Sequence, residues 1–85
     1  MAGDTRQALR HYQQSIAHEE ARGNTYGAGR TRFNIALLLE GDGRRADALL
    51  YARAALSDFE RVGSGATQQA TKTQDLITRL EGNSP

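Results

Sequence analysis

Eighty-five residues with eleven basic and ten acidic side chains make one small domain of net charge +1, without a global pull toward nucleic-acid phosphates or anionic lipid. The chain has no cysteine, which excludes a disulfide framework and a thiolate zinc site. At 38% hydrophobic and 25% charged residues it is too apolar for a disordered tail. Its longest apolar run, Ile35 to Leu39, is five residues, against the ~20 that a bilayer span needs. Met1-Ala2-Gly3-Asp4 carries neither the basic nor the apolar part of a signal peptide, so the expected location is the cytoplasm.

The apolar spacing has helical period almost throughout. Ala8, Leu9, Tyr12, Ser15 and Ile16 share one face of a first helix over 4–22, with Asp4 and Gln7 spaced as a capping box. The pattern stops at Gly23-Asn24. A second segment, from about Asn24 to Glu40, carries Phe33, Ala36 and Leu39 on one stripe, widened by Ile35 and Leu38. Gly41-Asp42-Gly43 reads as a turn with Asp42 as the next cap. The third segment bears the clearest amphipathic stripe: Ala48, Leu49, Ala52, Ala55, Leu56 and Phe59. Gly63-Ser64-Gly65 breaks it, with Ser64 as the expected cap of a fourth helix over 64–81, striped by Ala66, Ala70, Thr73, Ile77 and Leu80. No β alternation occurs. The expectation is an all-α fold of about four helices, joined by short connections that make neighbours antiparallel.

Sliding the chain on itself by forty residues brings Gly3 onto Gly43, Ala8 onto Ala48, Leu9 onto Leu49, Glu20 onto Glu60, Gly23 onto Gly63 and Thr31 onto Thr71. Turn glycines meet turn glycines, and Ile16–Leu56, Arg32–Lys72 and Leu37–Ile77 are conservative pairs. Two stretches, Gly3-Asp4-x-x-x-Ala8-Leu9-x-x-Tyr12-x-x-Ser15-Ile16 and Gly43-x-x-x-x-Ala48-Leu49-x-x-Ala52-x-x-Ala55-Leu56, resemble the second helix of a tetratricopeptide repeat. Gly27-x-Gly29-Arg30-x-x-x-Asn34-Ile35-Ala36 is similar to the first helix of the long-helix subclass, which repeats near forty residues. The pattern departs in having no tryptophan, Ala52 in place of an aromatic, Leu39 in place of a tyrosine and no proline between repeats. The resemblance covers residues 1–85 as a single domain: 4–22 the second helix of a truncated repeat, 24–62 one complete repeat and 64–81 a capping helix. It implies antiparallel hairpins stacked as a short right-handed superhelix with a concave groove.

Arg30 and Asn34 lie four residues apart, so their heads point the same way. The resemblance places them on the concave face, where Arg supplies a charged fork and Asn a donor and an acceptor. The bland reading is a solvated Arg beside a helix-bonding Asn. Phe33 and Leu37 are either apolar contacts in the groove or core, and Gln74 is Asn34's counterpart on the fourth helix. The paired basic clamp of the chaperone-binding branch is not repeated there. Leu9, Tyr12 and Ile16 give the first helix an apolar face without a preceding partner, which predicts self-association into a homodimer or docking on upstream repeats of a longer chain.

His11 and His18, seven apart, lack the further ligands that a metal site requires and read as surface residues. Arg44-Arg45 is balanced by Asp42 and Asp47 and reads as a solvated turn. No phosphate loop follows a strand, and no serine has a histidine and an acid placed by a motif, so no catalytic residue and no cofactor is expected. The leading expectation is a protein–protein interaction module taking a peptide or helix through Arg30, Phe33, Asn34, Leu37 and Gln74. The alternative is a capping or dimerisation segment of a larger bacterial regulator or scaffold. Nucleic-acid binding through Arg30, Arg32, Arg44 and Arg45 is a third and weaker class, and no membrane contact is expected.

Overall fold

Three glycines twenty residues apart, Gly23, Gly43 and Gly63, have φ of +71°, +78° and +83°, the left-handed region that side chains with a Cβ disfavour. They frame the elements of the computed structural model, which describes residues 3–82: α1 (Gly3–Ala21), α2 (Thr25–Gly41), α3 (Arg45–Val62), a 3₁₀ turn (Gly63–Ala66) and α4 (Thr67–Glu81). Every regular element among the described residues is helical, so the fold is all-α as expected. None of the helices is long and apolar enough to cross a membrane.

The first two glycines close helices in the same way. The N–H of Gly23 bonds to the carbonyl of Glu20 and that of Asn24 to Glu19, and Gly43 and Arg44 bond to Glu40 and Leu39 in the same pattern. These are Schellman turns, which satisfy the last carbonyls of each helix. Gly63 is different: its N–H bonds to Phe59, and the chain enters the 3₁₀ turn directly. Helix and 3₁₀ turn therefore follow one another without a connecting loop over 45–81, beside the separate helices 3–21 and 25–41, where the sequence predicts four separate helices. The stretch 45–81 folds back on itself at the 3₁₀ turn, pairing α3 with α4.

Capping departs from the sequence expectation as well. Asn24 caps α2, its Oδ1 accepting the N–H of Gly27 at 2.9 Å. Asp42 lies inside the Schellman turn instead, and the cap position of α3 is Arg44, without a side-chain bond. Ser64 sits in the 3₁₀ turn, so α4 starts behind Ala66; Ser64 contributes its carbonyl, which accepts from Thr67 Oγ1. Asp4 is inside the first turn of α1, where its charge faces the helix dipole favourably, and the cap position lies outside the described residues.

Each helix packs chiefly on its neighbours in sequence, α1 on α2, α2 on α3 and α3 on α4. Ala48 and Ala52 of α3 have no exposed surface and let α2 come close with Ile35, Ala36 and Leu39. Leu76, Ile77 and Leu80 of α4 complete this cluster, and Ile16 enters it from α1. The burial of α4 matches that of α2 at a shift of forty-one residues, Ile35, Ala36 and Leu39 falling on Leu76, Ile77 and Leu80. The 3₁₀ turn thus displaces the register of the forty-residue repeat by one position in the last helix.

Polar bonds tie the helices in register. The Arg32 guanidinium of α2 reaches Glu20 of α1 at 2.7 Å and the buried Asp58 of α3 at 2.6 Å, and Arg61 holds the other Asp58 oxygen at 2.5 Å. Burial lowers the Arg32 pKa, but the bonds to Glu20 and Asp58 outweigh it and hold the guanidinium above its ordinary value. Thr31 Oγ1 donates to Glu19 at 2.9 Å, and Gln13 of α1 donates to the Tyr51 hydroxyl of α3. Every buried side-chain polar atom among the described residues has a partner. Breaking such a pair at one end leaves a desolvated charge, so the network penalises any slip of α1 or α3 along α2.

Candidate functional site: a cleft between two parallel helices

The α2 and α4 helices lie side by side without a connecting turn. Their first halves meet around Arg30, Phe33, Gln69 and Lys72. Further along, Arg79 of α4 donates through Nε (2.9 Å) and Nη2 (2.7 Å) to the two Glu40 oxygens of α2. Both contacts advance in the same chain direction, so the two helices are parallel. The bidentate pair ties their C-terminal halves together, and the bonds from Arg79 hold the Glu40 carboxyl below its ordinary pKa.

Between the first halves of α2 and α4 is a hollow of about 190 Å³. Its floor is Phe59, 2% exposed, which meets Tyr26 edge-on with ring centroids 5.9 Å apart. Phe33 forms an apolar wall, and Arg30, Asn34, Gln69, Lys72 and Thr73 contribute polar groups. Thr73 Oγ1 donates to the Gln69 carbonyl at 2.7 Å and keeps only acceptor capacity. No acidic side chain lines the hollow.

The cations of the cleft differ from those that tie the helices together. Arg32, Arg44, Arg53, Arg61 and Arg79 all hold carboxylates. Arg30 and Lys72 form no hydrogen bond or ion pair with any described residue. Two positive charges, two amides and three aromatic rings thus surround a space below the ~300–1,000 Å³ of small-molecule pockets. That size suits one or two side chains of a larger ligand. A carboxylate placed there would meet a charged fork and an ammonium, with apolar surface alongside.

The structure brings Arg30, Phe33 and Asn34 together as the sequence predicts. Leu37 is 40% exposed, one turn beyond Asn34 on the same outward stripe of α2 and outside the hollow. Gln74 does not join them. It is two residues past Lys72, hence ~200° around the helix, and it lines a separate open hollow of about 380 Å³ with Leu56 and Glu60 of α3. The forty-residue alignment selected it, whereas the side of α4 that meets α2 carries Gln69, Lys72 and Thr73.

Leu9, Tyr12 and Ile16, expected to mediate self-association, face the domain's own core. Ile16 is buried, while Leu9 and Tyr12 are partly buried against the same cluster. The stripe packs chiefly on α2 of the same domain. His11 and His18 are exposed, and no group of three or more potential metal ligands gathers among the described residues. Sequence reasoning overlooked Tyr26 and Lys72. The signal for the first was its spacing, since Tyr26, Arg30 and Phe33 follow at four and three residues. For the second it was a lone lysine flanked within one turn by Gln69 and Thr73.

No protein-family model matches the chain, and no curated protein and no solved structure matches it either.

Proposed function

We propose that the protein is a protein–protein interaction module that holds a segment of another protein in the groove between α2 and α4. The observation that carries this reading is the pair of cations without a partner among the described residues, Arg30 and Lys72, over an aromatic floor in a cleft that no described acid lines. The carboxylates of Glu20, Glu40, Asp47, Asp58 and Glu81 are bound to arginines, and none of them lines the cleft. A tetratricopeptide-like stack is the architecture we infer around it. Three features support that stack: left-handed glycines at twenty-residue intervals, the parallel α2 and α4, and the antiparallel neighbours between them.

A displayed library of random peptides tests the proposal. Selection on the wild-type domain is expected to enrich binders whose amide shift changes map to residues 26–37 and 69–73. Arg30→Ala with Asn34→Ala should reduce their affinity at least tenfold, with helicity by circular dichroism unchanged. Failure to enrich any peptide, or binders indifferent to the double variant, refutes the groove as the binding surface.

A further inference from the structure

Resting on the groove reading, we infer the pattern that the groove selects: an internal Asp or Glu and, three positions away, an aliphatic residue, in an extended segment. The acid follows from charge. Arg30 on one wall and Lys72 on the other have no partner among the described residues, while Glu19, Glu20, Glu40, Asp47, Asp58 and Glu81 are all bonded elsewhere. A carboxylate between the two cations gains charge-assisted hydrogen bonds without displacing an existing pair. Asn34 and Gln69 flank it with amides that match a passing backbone.

The carboxylate belongs to a side chain and not to a chain end. Tyr26 lies one turn before Arg30, Gln69 lies one turn before Lys72, and Leu37 lies two turns after Arg30, so the cations sit within the length of the groove. A segment running along it continues on both sides of the charged point. Leu37 supplies the second requirement. It is a large apolar side chain, 40% exposed, on the same stripe of α2 as Arg30 and Asn34. Seven helical residues separate Arg30 from Leu37, about 10 Å of rise. An extended chain advances ~3.3 Å per residue, so the two contacts fall three residues apart on the ligand. Beyond Leu37, the Glu40–Arg79 pair bridges the two helices and ends the groove.

The probes are ten-residue peptides, blocked at both ends, carrying Glu-Ala-Ser-Leu between Gly-Ser flanks. Affinity is read by fluorescence anisotropy and location by amide shifts. The expected result is binding in the groove that weakens about tenfold when Glu becomes Gln, and also when Leu becomes Ser or the spacing is shortened to one. Arg30→Met with Lys72→Met should erase the Glu-over-Gln preference but keep the Leu-over-Ser preference, and Leu37→Ser should do the reverse. All three residues are largely exposed or lack partners, so these variants are expected to fold. If library-selected peptides occupy the groove but show no acid preference or no spacing preference, the inference is overturned and the groove reading stands. If neither selected nor designed peptides perturb α2 and α4, both fall together.

Discussion

Replacing Gly29 by alanine sets two effects of opposite sign against each other. Within a helix, alanine is favoured over glycine by about 1 kcal/mol. At Gly29, however, an added Cβ lies 2.9 Å from Phe59 Cε1 and 3.1 Å from both Phe59 Cδ1 and Asp58 Cβ. Neither neighbour can yield locally. Phe59 and Asp58 are 2% and 3% exposed, the ring is set edge-on against Tyr26, and the carboxylate is held by Arg32 and Arg61. Relief requires α2 to move away from α3, an overpacking cost of about 1–3 kcal/mol, here at the upper end. The net expectation for Gly29→Ala is a loss of about 1–2 kcal/mol, or roughly 5–15 °C in melting temperature for a domain of this size. Gly41→Ala is the control, since nothing lies within 4 Å of its Cβ and its φ is not positive. It should hold or raise the melting temperature. Thermal unfolding followed by circular dichroism, with urea titration as a second axis, measures both. A Gly29→Ala melting temperature at or above wild type would refute the close approach of α2 and α3.

The other stability predictions concern caps and charge. Asn24→Ala removes the bond to the Gly27 N–H and should cost about 1 kcal/mol in urea unfolding, whereas Asp42→Ala, which loses no cap, should stay within about 0.5 kcal/mol of wild type. The hydrogen bonds from Arg79 lower the Glu40 pKa in the folded state below its ordinary 4.5. Glu40 therefore contributes stability that is present above that value and is lost as pH falls through the lowered folded pKa. Wild type should melt above Glu40→Gln at neutral pH, with the gap closing below about pH 4.5; a gap that widens in acid would contradict the pairing.

Much of the local structure was legible before packing. The three-and-four spacing located the helices because an amphipathic stripe must face a core. Gly23 and Gly43 marked helix ends because a Schellman turn needs a left-handed residue. Ser64 was misread, since a serine ahead of an apolar run carries the same signal whether the chain starts a helix there or first makes a 3₁₀ turn. The resulting one-residue displacement was invisible in the alignment, which carried Asn34 to Gln74. Neither register names the cleft residues of α4, because the side of α4 that meets α2, with Gln69, Lys72 and Thr73, is set by packing between distant segments.

Composition and periodicity alone determined that this is an all-helical domain with turns at 23, 43 and 63 and an apolar stripe on each helix, because those properties depend on residues close in sequence. They also singled out Arg30, Phe33 and Asn34, which share a face whatever α2 packs on. Only the tertiary structure decided which charges are engaged. Arg32 and Arg30 are two residues apart and chemically identical, yet one is locked between Glu20 and Asp58 while the other lines the cleft with Lys72 and bonds to no described residue. That difference comes from the rotation of α2 against α1, α3 and α4, a relation among distant segments that no local pattern encodes.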